Sequence, residues 1–346
     1  MEEISIISLL ELVALATATF LGLHFITSKD KSQKLLGNFL LLGFIFDFVF
    51  RLFFFLNIEI DFDFLPNTSY IYVPFLYFYA LALTGQNDKK KWYLLSPAVL
   101  FYIGKILAII FEIEAILFAE HFLAYPFSVY IGYLVLRVIH VHQKNIFHYF
   151  SSVEDKSLNW LRILTITLIC FNLLWMIEDI LHLLTDFNFF FPEISAIATI
   201  ITIYWIGFSS LKQNIIFNDE IPLTESTTQK TLNESELMIF KELTQLMDSK
   251  QLYKNENLSL RDVANNLQCG DKQLSKIINT KTKNNFYHFI NTYRVNCFKE
   301  YLYKSPQMNL TLFGLAQECG FKTKSTFYTA FKKVEGCTPN EFMQQI

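Results

Sequence analysis

Up to residue 211 the chain alternates long apolar runs with short polar stretches. A helix that crosses a bilayer needs about 20 mostly apolar residues. The pattern predicts seven such helices, over 4–27, 35–57, 69–84, 92–111, 118–140, 160–184 and 192–211. The third is the shortest and carries Pro74. The first opens Met1-Glu2-Glu3, and an acidic start before so long a run does not fit a cleaved signal peptide.

Past Lys212 the apolar pattern stops. Residues 218–233 are rich in Thr, Ser, Asp and Glu, contain Pro222, and read as a tether. Asn233 followed by Glu236 predicts a helix start, with Ser235 an equal candidate for the cap. Leu237, Phe240, Leu243, Leu246 and Met247 then recur at helical spacing to about Lys250. Such a helix either packs on the domain that follows or serves as a dimer or coupling helix.

From residue 258 the period stays helical but the elements shorten. Ser259 is placed to cap a helix with Asp262 three residues on, and Val263, Ala264 and Leu267 form its apolar face. Gln268-Cys269-Gly270 predicts a tight turn. Residues 271–279 predict the next helix, with Leu274, Ile277 and Ile278 inward and Lys272, Ser275, Lys276 and Asn279 outward. A helix, a short turn and a second helix with a basic outer face make a helix-turn-helix, whose second helix enters the major groove. The layout recurs about 52 residues later. Thr311 caps Leu312, Leu315 and Ala316; Cys319-Gly320-Phe321 turns; Thr323 caps a helix over 324–334. There Phe327 and Phe331 face inward and Lys324, Ser325, Tyr328 and Thr329 outward. The apolar stretch 285–304 joins the two units and, as one helix, spans about 30 Å. Successive major-groove faces lie about 34 Å apart, so this connector suits two readers on one side of a duplex.

Charge follows the same division. Residues 1–211 carry 12 basic and 18 acidic side chains, net −6; residues 212–255 carry −2; residues 256–346 carry 12 basic and 7 acidic, net +5. An apolar front joined to a basic tail points to a membrane before and a polyanion behind. The mean hydropathy of +0.30 and the 37 Phe agree. Lysines mark the polar stretches 28–34 and 85–91, the loop after the fifth run and Lys212, whereas 58–68, 112–117 and 185–191 hold acidic residues and no Lys or Arg. Basic residues mark the cytoplasmic side. The alternation predicts an outside N-terminus, seven crossings and a cytoplasmic tail.

Ionisable residues inside the apolar runs are Glu11, His24, Asp47, Arg51, Lys105, Arg137, Glu178, Asp179 and His182. They are costly in lipid and face a partner or a wet cavity. Asp47 with Arg51, and Glu178 with His182, are four residues apart and mark a candidate intramembrane signal site; interhelical bonding or snorkelling is the competing role. Cys170, Cys269, Cys297, Cys319 and Cys337 form no C-x-x-C pair and read as small core residues in a reducing compartment. No H-E-x-x-H, G-x-S-x-G, Walker A or dinucleotide fingerprint occurs, and the last run holds no internal Lys for a retinal.

Residues 258–346 resemble the DNA-binding domain of the AraC/XylS family of bacterial regulators. The second unit carries most of the likeness, in Ala316-Gln317-Glu318-Cys319-Gly320-Phe321, Phe327, Phe331-Lys332-Lys333, Gly336, Thr338-Pro339 and Phe342. The first adds Val263-Ala264, Leu267, Gln273-Leu274-Ser275 and Tyr293-Arg294. The resemblance implies base contacts at Lys272, Ser275, Lys276, Lys324, Ser325, Tyr328 and Thr329, and phosphate contacts at Lys332 and Lys333. Two departures stand out. Gly270 occupies a position where the family often has a Ser cap, and Gly314 lies inside the first helix of the second unit, at about 0.5–1 kcal/mol relative to Ala.

The resulting expectation is an all-α chain: a seven-helix transmembrane bundle over 1–211, a linker and amphipathic coupling helix over 212–250, and a cytoplasmic double helix-turn-helix domain over 251–346. Its expected function is that of a membrane-anchored one-component transcription regulator that answers a signal at the membrane. Expected partners are double-stranded DNA, the lipid bilayer, an unidentified small-molecule or membrane signal and a second copy of the chain. No catalytic residue, cofactor or metal is expected. The expected location is the bacterial inner (cytoplasmic) membrane, multi-pass. The competing reading is a membrane receptor or transporter-like protein whose helical tail binds a protein partner.

Overall fold

The computed structural model describes residues 6–55, 69–86, 89–185, 192–213, 232–304 and 310–345. Among others, the side chains of 44–55, 192–196 and His182 lie outside that description. Regular structure among the described residues is helical throughout, apart from an isolated antiparallel bridge between Phe150 and Ser259. The helices gather into two compact units, one of residues 1–140 and 158–221, the other of 141–157 and 222–346.

The first unit holds α1 (Ile6–Thr27), α2 (Lys31–Phe55), α3 (Ser69–Leu83), α4 (Ser96–Ile110), most of α5 (Glu114–Tyr149), α6 (Asn159–Thr185) and α7 (Pro192–Lys212). Each apolar run holds a helix among its described residues, the fourth opening in a 3-10 helix over Lys89–Leu95, and α5 continues to Tyr149, past its expected end at 140. Among the described residues two helices, Phe118–Tyr149 and Asn159–Thr185, are long and apolar enough to cross a membrane. Leu12–Thr27, Ser69–Leu83 and Ile197–Lys212 are apolar but shorter.

Small residues bring the first helices together. A Cβ on Gly37 of α2 would meet the Gly22 carbonyl of α1 at 2.8 Å, so the two backbones touch there. Leu36, Leu40, Tyr79, Ile131, Ile139 and Leu161 form the buried centre. The outer faces are also apolar: Val99, Leu100 and Ile110 on α4 and Leu174, Leu183 and Leu184 on α6 are exposed, Leu184 by 72%. A surface this rich in large aliphatic side chains is suited to an apolar neighbour and not to water.

Polar contacts within the first unit fall partly elsewhere than expected. Lys105 Nζ and Glu120 Oε2 pair at 3.5 Å with both side chains buried, and the Tyr70 hydroxyl donates to the Glu120 backbone carbonyl at 2.9 Å. Asp179 meets His121 Nε2 at 2.6 Å and the Tyr125 hydroxyl. Asp179 therefore bridges α6 to α5, a contact that the spacing of Glu178 and His182 within α6 does not predict. The partner proposed for Glu178, His182, and the Asp47–Arg51 pair have side chains outside the described residues.

The second unit contains α8 (Glu234–Lys250), α9 (Leu260–Asn266), α10 (Asp271–Thr282), α11 (Phe286–Lys304), α12 (Leu312–Glu318), α13 (Lys324–Glu335) and α14 (Pro339–Gln345), with the end of α5 and the loop to 157. Of the tether read over 218–233, residues 218–231 lie outside the described residues. Asn233 is the cap of α8: its Oδ1 accepts from Glu236 N at 2.8 Å, and Glu236 Oε2 accepts from Asn233 N at 3.1 Å. Leu243 and Met247 of α8 are fully buried in the common core, so the helix packs on the domain.

The connector α11 is apolar on opposite faces, which suits a helix buried between two partners. It packs on α10 on one side and on α12 and α13 on the other. Phe298 sits 4.7 Å from Phe327 and 5.6 Å from Phe331, ring to ring, and all three are fully buried. Each such side chain stabilises the fold by roughly 1.5–3 kcal/mol. Both helix-turn-helix units therefore share a single core.

Candidate nucleic-acid interface

The first unit begins at a capping box: Ser259 Oγ accepts from Asp262 N at 3.2 Å and Asp262 Oδ2 accepts from Ser259 N at 2.9 Å. In the turn that follows, the left-handed residue is Gln268, with φ 51°. Gly270 has extended backbone, caps α10 without a side-chain bond, and a Cβ built on it would touch nothing. The turn thus does not need this glycine. On α10, Lys272 is exposed, as expected. Ser275 is not: it is buried, 6% exposed. α8 packs on α10 and places Glu236 Oε1 2.6 Å from Lys276 Nζ, and Asn279, one turn on from Ser275, lies with its Nδ2 3.5 Å from His148 Nδ1 at the end of α5. The pairing with Lys276 Nζ holds the Glu236 carboxyl below the usual carboxylate range. Helical periodicity within α10 alone cannot reveal a neighbour that arrives from another element.

The second unit differs. Thr311 Oγ1 caps α12 through Gly314 N at 3.0 Å. Gly320 has φ +92°, and a Cβ there would lie 2.5 Å from the Tyr253 carbonyl, so only glycine fits this turn. Thr323 caps α13, its Oγ1 accepting from Thr326 N at 3.2 Å. Beyond it Lys324, Ser325, Thr329, Lys332 and Lys333 are all exposed. Tyr328 is half-buried, with Lys324 Nζ 5.5 Å above its ring and its hydroxyl 3.3 Å from Asn340 Oδ1. Lys333 Nζ donates to His288 Nε2 at 2.6 Å. That bond requires a neutral imidazole, and burial, reinforced by the Lys333 charge, lowers the His288 pKa. Lys324, Ser325 and Thr329 lie in the first two turns of α13, the part of a recognition helix that meets base edges, and Lys332 and Lys333 lie in its last turn.

Sequence reasoning missed Arg294. It is fully buried in α11, and all five of its N–H donors are used. Nε donates to the Tyr253 carbonyl at 2.7 Å; one terminal nitrogen serves the Ser151 carbonyl and Asn291 Oδ1, each at 3.1 Å. The other serves Ser151 Oγ at 3.0 Å and the Asn255 carbonyl at 2.8 Å. Burial away from water pushes the guanidinium down to about 10. A charged residue amid the apolar positions of α11 was the available signal. Also in the core, the buried Cys297 and Cys319 thiols face each other at 2.7 Å, while Cys170 is exposed.

Residues 263–345 match a protein-family model described as a helix-turn-helix domain. The match takes in 83 of the chain's 346 residues, from within α9 to the end of α14, and so covers both units. It supports an AraC-type DNA-binding transcription regulator in this part of the chain. No curated protein and no solved structure matches the chain.

Proposed function

We propose that this protein is a membrane-anchored one-component transcription regulator that acts without a catalytic step. The observation that carries the reading is the pair of helix-turn-helix units on one rigid core, each with an outward basic helix. Phosphate contacts from Lys332 and Lys333 supply affinity that falls with salt, and Lys272, Lys276, Lys324, Ser325, Tyr328 and Thr329 select bases. Ser275 is withdrawn from that set because it is buried.

The anchor is supported by two helices of crossing length, by exposed aliphatic faces on α4 and α6, and by glycine-mediated helix contact. The loop charges orient it with the N-terminus outside and the basic tail in the cytoplasm of a bacterium, at the inner membrane. Polar contacts at buried Glu120 and at partly exposed Asp179, with the Asp47–Arg51 and Glu178–His182 pairs, form the candidate signal site. Bound ligand or membrane state shifts the helices there and so alters DNA affinity; a second copy of the chain is a candidate partner on the operator.

Reporter fusions test the anchor. Alkaline phosphatase joined within 58–68 or 185–191 is expected to be active and joined after Lys212 inactive, with the whole chain sedimenting with membranes. Activity in the reverse positions, or recovery of the whole chain in the soluble fraction, contradicts the anchor. If Ala at Asp47, Arg51, Glu178 and His182 leaves the response to every inducing condition intact, the signal site is not there.

A further inference from the structure

The loop between α5 and α6 folds with the DNA-reading helices, and three of its residues engage them. Ser151 lies fully buried. Its N–H and Oγ donate to the Leu258 carbonyl at 3.1 and 2.7 Å, beside the Phe150–Ser259 bridge at the start of α9. Its carbonyl and Oγ fill two of the five donor positions of Arg294. Three residues further on the loop becomes acidic. Glu154 Oε2 is held by Val153 N at 3.1 Å and Ser152 Oγ at 2.9 Å, leaving Oε1 to accept from Thr323 Oγ1 at 3.1 Å. Asp155 Oδ2 lies 2.6 Å from Lys322 Nζ.

Thr323 is the cap of α13, and Lys322 precedes it. This is the positive end of the recognition helix, where first-turn residues meet bases and phosphates come nearest. Two carboxylates sit where DNA would bring its own anions. Like charges at such distances repel, and one of the two must leave. We propose that 150–155 is an internal docking strap that occupies the N-terminal end of the second recognition helix and is displaced when DNA binds there. The occupant is this chain's own loop between α5 and α6, so the strap also makes DNA affinity answer to whatever moves those helices. Displacement uncovers two donors of Arg294, which water must then satisfy; the docked and released forms are distinct states.

The proposal rests on the DNA-binding reading of α13, and the experiment separates the two. The full chain in lipid nanodiscs is treated with a zero-length carbodiimide, which joins a carboxylate to an amine in direct contact, and cross-linked peptides are identified by mass. Free protein is expected to give an Asp155–Lys322 link, alongside Glu335–Lys299, whose ion pair at 3.0 Å inside the unit serves as the internal standard. A mixed-sequence duplex at saturation should lower the first link severalfold and leave the second unchanged. The Glu154→Gln/Asp155→Asn chain should bind the duplex about 3–10-fold tighter, and Glu242→Gln, an exposed change on α8, less than twofold. Absence of the Asp155–Lys322 link beside a normal standard overturns docking. A link undiminished at saturation, or equal gains from the two charge changes, overturns displacement. If neither chain binds any duplex, the DNA-binding reading fails and displacement with it, while the link in free protein still reports the strap.

Discussion

The two helix-turn-helix units share a layout and a core, yet present different faces. In the first, α10 packs against α8, Ser275 is buried and Lys276 is paired with Glu236. In the second, α13 shows five exposed polar residues along its outer face; the residues just before its first turn, Lys322 and Thr323, meet Asp155 and Glu154, and Lys333 in its last turn meets His288. Each reader thus carries a carboxylate borrowed from another element. The difference teaches that sequence symmetry between repeats does not give equal access. The second unit is built to read more of a site, and the first is the more restricted partner.

Several measurements would break or sharpen that contrast. The largest effect belongs to what the units share. Arg294→Met leaves buried carbonyls without donors, and the loss is about 3–5 kcal/mol. Because the core is common, denaturation followed by probes in α10 and α13 should show a single transition moving together; two separated transitions would break the picture of one core. Next come the turns. Gly320→Ala forces a Cβ against the Tyr253 carbonyl at a left-handed φ and should cost on the order of 2–3 kcal/mol. Gly270→Ser supplies the missing cap of α10 and should stabilise by about 0.5–1 kcal/mol. Thermal melts of the two variants should move in opposite directions.

The readers rank below these. Lys324→Ala should cost about 1–3 kcal/mol of operator affinity and relax preference at one position. Ser325→Ala should have a smaller effect of the same kind, and Ser275→Ala none, as read by competition binding. Lys332→Ala should weaken all duplexes alike and lower the salt slope by about 1. The smallest effect is a titration. His288 has a depressed folded-state pKa, so below about pH 6.5 the unfolded chain takes up a proton that the folded one excludes. Stability is therefore retained above that range and declines as pH falls from 7 toward 5. In His288→Gln the decline should shrink.

Much of this was legible in the chain because the signals were local. Ser259, Thr311 and Thr323 announced their helices as caps, and the paired apolar faces of α10 and α13 announced their inward sides. What stayed hidden came from residues distant in sequence. Nothing in 271–282 signals that Glu236 covers its flank, and nothing in 322–326 signals the arrival of 154 and 155. The Gln268-Cys269-Gly270 turn is legible in the sequence, but not that its left-handed position falls on Gln268. Asp179 lies about 100° round α6 from Glu178, and its contact with His121 and Tyr125 depends on the facing helix α5, which the α6 sequence does not reveal.

The central claim is that this chain reads DNA sequence through both units. The direct measurement is selection of duplexes from a random pool by the full chain in nanodiscs, repeated with Lys272→Ala and with Lys324→Ala. Enrichment of a motif with two elements about one helical turn apart is expected, each variant relaxing a different element and Lys324→Ala the more strongly. No enrichment, or binding that responds to salt but not to sequence, would contradict the claim and favour a helical tail that docks on a protein.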